Sequence, residues 1–366
     1  MLESLYSEAI KKKGTIIEMI ENYNNHNLNV SKFWKDEKIP KYNKDLTIAA
    51  GDGSSNDKKF LSFYFYAIAA ETLIYNNKLS KIESATINTI THGKYSKDRI
   101  RNYMSLFEIK NALKAMKTYD IDYYLYDGSL LGDLIRPFPL EKEIPKNIRT
   151  FVLDSAKDML NKEINSIKNH EVEVYSNKLA NKDLKKKFEE IKSKKGSSYI
   201  ESIENYLESI EKLLALANLL KHKDKIIDIS KTSISNDYFD ANIPDIAIFT
   251  KYSNDCGYSS PPKYISAEKD QFKHEFPVEN NFFKSLNFTI FYVRLKKQKN
   301  IIKIELPYKA DETKIKEIIS VISRDSTEGY PYLLKKAHLD VVIKKKDIEQ
   351  LSNIIGIYEK TGREML

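Results

Sequence analysis

Two aspartates, Asp52 and Asp127, sit in matching contexts, each closing an apolar run and each followed by Gly-Ser. The runs are Leu46-Thr47-Ile48-Ala49-Ala50-Gly51-Asp52-Gly53-Ser54 and Tyr123-Tyr124-Leu125-Tyr126-Asp127-Gly128-Ser129. A short β-branched or aromatic run reads as a strand, and the glycine after it lets the backbone turn. Each aspartate is therefore expected at the carboxyl end of a strand. Two such strands side by side bring two carboxylates together, and like charges at that range stay ionised cheaply only with a cation between them. A divalent metal bound by oxygen ligands is the chemistry this pair points to. Asp-Gly is also a common turn dipeptide, the ordinary explanation of either copy alone. Its recurrence in the same strand context sets the pair apart.

The elements that would hold these residues follow from the order of the chain. Its 366 residues, 41% hydrophobic, allow one large domain or two ordinary ones with a proper core. Residues 2–23 read as a helix with a modest apolar stripe (Leu5, Ala9, Ile16, Ile20), a packing or partner-contacting arm. After the first Asp-Gly-Ser come Phe60 to Tyr75 and Ile82 to Thr91, apolar segments with short connections that predict an antiparallel meander. Residues 98–118 read as a helix with Ile100, Met104, Phe107, Leu113 and Met116 near one face. Glu108, four residues from both Met104 and Ala112, puts its carboxylate alongside that stripe, either at the rim of the core or aimed at something charged. Strand with aspartate, two strands, helix with glutamate, strand with aspartate is the order of a ribonuclease H-like core. In such a core the first and fourth strands pair in parallel, and their aspartates share metal ions with a helix glutamate.

Beyond Asp127 the character changes. Pro137, Pro139 and Pro145 mark a connection, and residues 147–222 read as charged amphipathic helix, with a Ser198/Glu201 capping-box spacing: a helical hairpin inserted into the sheet domain. Its lysines (Lys185–Lys187, Lys192, Lys194, Lys195) either form a solvated face or line a nucleic-acid path. The sheet resumes at Ile226 to Ile229 and breaks into Ser230-Lys231-Thr232-Ser233. Asp245 to Tyr252 reads as another strand, Phe288–Leu295 and Ile301–Leu306 as a hairpin, and Asp311 as the cap of a helix. A last helix opens near Pro331 and puts Leu334, His338, Val341 and Val342 on one face; Asp340 points to the other side. A histidine so placed is ordinarily a core residue, with a catalytic or phosphate-contacting role as the alternative. The remaining histidines show no zinc-like pairing.

Charge and composition narrow the class. The formal net charge of +8 favours a polyanionic partner, although 52 acidic residues against 60 basic also fit a highly charged, lysine-biased surface. Cys256 is the single cysteine, so no intrachain disulfide or cysteine zinc cluster can form, and a reducing, cytoplasmic compartment is the default. The amino terminus lacks the apolar core of a signal peptide, and the longest apolar run falls far short of the roughly 20 residues of a membrane span.

Asp52-Gly53-Ser54, Glu108 with Ala112, Asp127-Gly128-Ser129-Leu130, Ser230-Lys231-Thr232-Ser233, and Gly329-Tyr330-Pro331-Tyr332 with Ala337-His338 together resemble the NurA nuclease family of archaea, in order and in rough spacing. Each motif is short; five in order across residues 46–343 make the likeness specific. Two positions depart from the expected pattern: Gly51 stands where a larger apolar residue is expected, and Leu333 where a second proline is common. The resemblance implies a ribonuclease H-like mixed sheet flanked by helices, one nuclease domain over residues 1–366. Its core would span 24–140 and 223–366, with a helical insertion over 141–222 and an N-terminal helix over 1–23. It implies a manganese-dependent deoxyribonuclease, with magnesium as the alternative ion, cutting single- and double-stranded DNA with 5′-to-3′ polarity. It also implies a homodimer acting with a HerA-type hexameric ATPase in DNA end resection for recombinational repair. On this reading Asp52, Glu108 and Asp127 are the metal ligands. Lys231 holds the scissile phosphate or orients water, and His338 protonates the leaving group or contacts phosphate. The rival readings are a nucleic-acid-binding subunit without chemistry and a metal-dependent phosphatase acting on a small substrate. The chain has no Gly-x-x-x-x-Gly-Lys-Ser/Thr loop, so it is not expected to be a P-loop motor.

Overall fold

The computed structural model describes residues 2–24, 29–40, 42, 45–135, 144–182, 184–195, 197–267, 272 and 274–359. Pro137, Pro139 and His26 lie outside the described residues, as do the side chains of Lys192, Lys194, Lys195 and Ser198.

The strands are β1 (Trp34–Asp36), β2 (Ile48–Lys59), β3 (Phe63–Asn76), β4 (Lys78–Thr91), β5 (Tyr123–Asp127), β6 (Ile226–Ser230), β7 (Gly257–Ser259), β8 (Lys263–Ser266), β9 (Asn287–Arg294) and β10 (Ile302–Leu306). A two-residue pair, β11 (Ser326–Thr327) and β12 (Tyr330–Pro331), stands apart. The helices are α1 (Glu3–Asn24), α2 (Ser96–Thr118), α3 (Leu130–Ile135), α4 (Lys146–Asn165), α5 (Tyr175–Asn181), α6 (Lys185–Lys195), α7 (Ser197–Leu220), α8 (Asp245–Tyr252), α9 (Asn280–Lys284), α10 (Glu312–Arg324), α11 (Tyr332–Val341) and α12 (Lys345–Ile355).

One mixed sheet of ten strands runs in the order β1-β7-β9-β10-β6-β5-β2-β3-β4, with β8 paired to β9 off that path. β2, β3 and β4 form the expected antiparallel meander, and β5 returns after α2 to lie parallel to β2, with Ile48 opposite Tyr123 and Gly51 opposite Tyr126. This is the ribonuclease H-like arrangement. Side chains alternate between the two faces of a strand, so each face has its own core. Ala49, Tyr124, Tyr126 and Ile226 pack under α2 and the insertion; Ala50, Leu125, Ile229 and Ile304 pack under α10 and α11.

Two expectations are corrected here. Asp245 to Tyr252 is a helix, not a strand. Pro244 precedes it at the cap position, Ile248 and Phe249 are buried on one side, and the Asp245 carboxylate accepts the Tyr238 backbone N–H at 2.9 Å. The insertion is not a simple hairpin: α4 and α7 are its long arms, with α5 and α6 between them. The Ser198 half of the expected capping box lies outside the described residues, while the Glu201 carboxylate accepts the Lys94 and Tyr95 backbone N–H groups at 3.1 and 3.0 Å.

The insertion covers the outer side of α2, which is therefore buried nearly all round. Lys110, with no exposed surface, lies 2.5 Å from Glu211 and 3.0 Å from Glu163, and Arg99 lies 2.6 Å from Glu208. Lys185–Lys187 are exposed, with Lys187 paired to Glu190, which fits a solvated face. The stripe of α1 is left open, with Leu5 54%, Ile16 47% and Ile20 52% exposed. Asp311 caps α10 as expected, accepting the Lys314 N–H at 2.8 Å. Among the described residues, no helix is long and apolar enough to cross a membrane.

Candidate metal centre

Asp127 closes β5 as expected. The expectation that Asp52 also ends its strand is corrected: it stands in the middle of β2, which runs on to Lys59. Gly53 makes no turn but leaves room for α2, a Cβ there meeting Met104 Cγ at 3.3 Å. The parallel ladder runs to Gly51 opposite Tyr126, so Asp52 and Asp127 follow as the next pair on one face. Gly51 is required where a larger residue was expected, because a Cβ there would sit 2.1 Å from the Tyr124 hydroxyl oxygen and 2.9 Å from Thr72 Oγ1. Gly128 adopts φ +131°, a region L side chains avoid, and this turn ends the strand directly after Asp127. Ser129 then caps α3, its Oγ accepting the Gly132 N–H at 2.8 Å. At Asp127 the strand-Asp-Gly-Ser signature thus has a local reason at each position.

His338 comes from α11, which lies across β2. Its Nδ1 is 2.7 Å from Asp52 Oδ2, and ligand atoms of Asp52, Asp127 and His338 all lie within 4.8 Å of one another. The imidazole is half exposed, at 52%, so His338 is not a core residue despite its apolar helix neighbours. Lys231, just past β6, donates to Asp127 Oδ2 at 2.8 Å.

Glu108 approaches from α2, on the opposite side of β2, beside Gly53. It is 7% exposed, and its Oε1 has no hydrogen-bond partner among the described residues. Burial pushes its carboxyl well above the ordinary range, and Asp52, Asp133 and Asp127 add to that, while Lys212 of α7 opposes it. Asp52 is also raised, first by burial, then by Asp127, against the lowering effect of its contacts with His338 and Gly53. Glu108 stands outside the three-residue group of ligand atoms. Its orphaned buried oxygen next to two acidic groups is nonetheless a donor in need of a cation or a proton.

All five sequence-selected residues (Asp52, Glu108, Asp127, Lys231 and His338) therefore fall in one region. Two neighbours escaped the sequence reading. Tyr330, in the Gly-Tyr-Pro-Tyr motif, has its ring 4.9 Å from Lys231 Nζ and a buried hydroxyl without a hydrogen-bond partner among the described residues. Burial, then Asp127 and Asp52, pushes that phenol up. Glu71 lies directly across from Asp52 on β3, with Glu83 across from it on β4, so Asp127, Asp52, Glu71 and Glu83 form a cross-strand row of carboxylates. Like charges placed directly opposite are unfavourable in a sheet, and cross-strand register cannot be read from spacing within one strand. Two carboxylates and an imidazole within reach of one point, beside a partnerless buried carboxylate oxygen, suit a hard to borderline divalent ion such as manganese.

Fold and site together define a ribonuclease H-like protein with two carboxylates and an imidazole that could hold a metal ion. The NurA domain model matches residues 46–343, and the chain belongs to the NurA family. The probable DNA double-strand break repair nuclease NurA of Methanocaldococcus jannaschii is 33% identical, across 98% of this chain and 90% of that protein. The DNA double-strand break repair nuclease NurA of Sulfurisphaera tokodaii is 27% identical, across 98% and 97%. The crystal structure of the NurA nuclease from Sulfolobus solfataricus superposes with a TM-score of 0.72 at 22% identity, covering 97% of each chain. A NurA crystal structure bound to dAMP and manganese gives 0.69 at 18%, covering all of both chains.

Proposed function

We propose that this chain is a divalent-metal-dependent DNA nuclease, hydrolysing phosphodiester bonds with manganese as its working ion and magnesium as a substitute. The observation that carries the reading is the convergence of Asp52, Asp127 and His338 within 4.8 Å, from strands and a helix far apart in the chain. Asp52 and Asp127 would hold the ion, with Glu108 completing the acidic set from the opposite face. A bound divalent ion supplies Lewis-acid polarisation of the phosphodiester and a nucleophile at neutral pH. Lys231, now on Asp127, is placed to take a phosphate oxygen by a charge-assisted hydrogen bond. His338 is exposed enough to meet substrate and is oriented by Asp52, which fits a proton donor to the leaving oxygen.

The finer reading includes 5′-to-3′ exonuclease and single-strand endonuclease action, a homodimer, and cooperation with a HerA-type hexameric translocase in DNA end resection. Family membership supports it, and the missing P-loop leaves this chain in need of a separate motor for long duplexes. The test is incubation of purified protein with end-labelled single- and double-stranded DNA in manganese, magnesium or chelator. Metal-dependent fragments are expected. DNA retention without cutting would favour a binding subunit, and hydrolysis of a small phosphate ester alone would favour a phosphatase.

A further inference from the structure

Glu305 and Lys303 are charged residues in the middle of β10, between apolar neighbours, and both are buried, their side chains 1% and 7% exposed. Two residues apart on one strand, they share a face, and Lys303 Nζ lies 2.7 Å from Glu305 Oε1. Each then makes one further contact, to a different loop. Glu305 Oε2 accepts from Ser129 Oγ at 2.7 Å, and Lys303 Nζ donates to Ser235 Oγ at 2.9 Å. Ser129 belongs to the turn that follows Asp127; Ser235 belongs to the loop that carries Lys231.

The turn after Asp127 is held at several of its polar groups. Gly128 N donates to Ile229 O at 3.0 Å, Gly128 O accepts from Ser230 Oγ at 2.8 Å, and Leu130 N donates to Asp228 Oδ2 at 3.2 Å. Ser129 uses its one proton on Glu305 and a lone pair on Gly132 N. Asp228 is Glu305's cross-strand partner on β6, so this anchorage converges on one spot beneath the turn. A buried pair of opposite charges specifies geometry, because either partner moved alone leaves a charge unpaired.

We propose that the Lys303–Glu305 pair is a positioning element of the metal centre, the common anchor that sets Asp127 and Lys231 at their mutual distance. Neither residue touches substrate or ion; both act through Ser129 and Ser235. The inference rests on the nuclease reading above. Groups behind metal ligands typically change metal affinity or rate by about 10–100-fold when removed.

The experiment compares wild type with Glu305→Gln, Lys303→Met and the double variant, all in the full chain. Three quantities are measured: manganese binding by calorimetry without DNA, the manganese midpoint and maximal rate of DNA cleavage, and the thermal midpoint. Each single variant is expected to lower thermal stability and to raise the manganese midpoint by about tenfold or more. The double variant removes both charges, so stability is expected to recover while the metal midpoint and rate do not. Full recovery of all three in the double variant would make the pair structural only and overturn the proposal. Should a single variant fail to fold, Ser129→Ala and Ser235→Ala cut the same two links without stranding a charge. Wild-type metal binding and kinetics in both would equally overturn it. Absence of wild-type cleavage would count against the nuclease reading instead, and the calorimetric comparison would still decide the positioning role.

Discussion

Asp52 and His338 are 286 positions apart in the chain and 2.7 Å apart in space. The contact fixes α11 across β2 at the point where Asp127 arrives from the neighbouring strand, so the imidazole and both carboxylates are assembled by one crossing of helix over sheet. A strand aspartate in such company has its charge opposed first by burial and then by Asp127, and supported by the imidazole.

Asp52→Ala or Asp127→Ala is expected to reduce metal-dependent cleavage by more than about 100-fold, beyond what losing an outer-shell partner costs. Removing one of two like charges also relieves repulsion in the metal-free protein, so its thermal midpoint should hold or rise. Cleavage assays with thermal melts in chelator check both halves. Wild-type cleavage by both variants would contradict the site.

Glu108→Gln keeps the shape of the side chain and removes its burden of ionising in a buried, acidic setting. Without metal the variant should be at least as stable as wild type. With manganese, the stabilisation on binding should shrink and the midpoint for activity should rise, as read by melts across a manganese titration. An unchanged titration would return Glu108 to a passive place at the rim of the core.

Glu71 is raised from an ordinary 4.5 to about 7, by burial first and then by Asp340 and Glu83, with Lys81 opposing. Between those values the folded chain binds a proton at Glu71 that the unfolded chain has released, so stability falls as pH rises through the window. Glu71→Gln should flatten that slope in metal-free urea melts between pH 5 and 7, a window of about two units set by this shift. A slope identical to wild type would assign the pH dependence elsewhere.

Lys110→Met should be strongly destabilising, by about 3–5 kcal/mol, because it strands Glu163 and Glu211 as buried charges without their cation. Urea unfolding monitored by circular dichroism measures the loss. A change under about 1 kcal/mol, the range of exposed pairs, would mean that water reaches these carboxylates.

The sequence was legible where local chemistry and position coincide. Asp127 announced itself because strand, turn glycine and capping serine each need their residue type where it stands. Asp52 carries the same signature for other reasons, since β2 runs on past it, Gly53 lets α2 approach and Ser54 Oγ accepts the Ile343 N–H. Glu108 was legible from helical spacing, and the parallel pairing of β2 and β5 from element order. Arg99 and Lys110 were not legible as buried residues, since charges at helical spacing look like a solvated face until another helix supplies Glu208, Glu163 and Glu211. Tyr330, Glu71, Lys303 and Glu305 gain their places near the site from cross-strand register and loop anchorage, which no stretch of sequence encodes by itself. Asp245 to Tyr252 misled because a short apolar run fits either period; the proline before it was the signal that should have decided for a helix.

The crossing of α11 over β2 also bears on how the protein is made. During synthesis the acidic side chains of β2, α2 and β5 leave the ribosome well before His338, and the loop with Lys231 comes between them. A chain still in translation, or one cut before α11, carries clustered carboxylates without the imidazole. Under the role proposed for His338, such a copy would lack its proton donor until α11 has been made and docked, so the order in which the polypeptide emerges would delay the finished site to the end of synthesis.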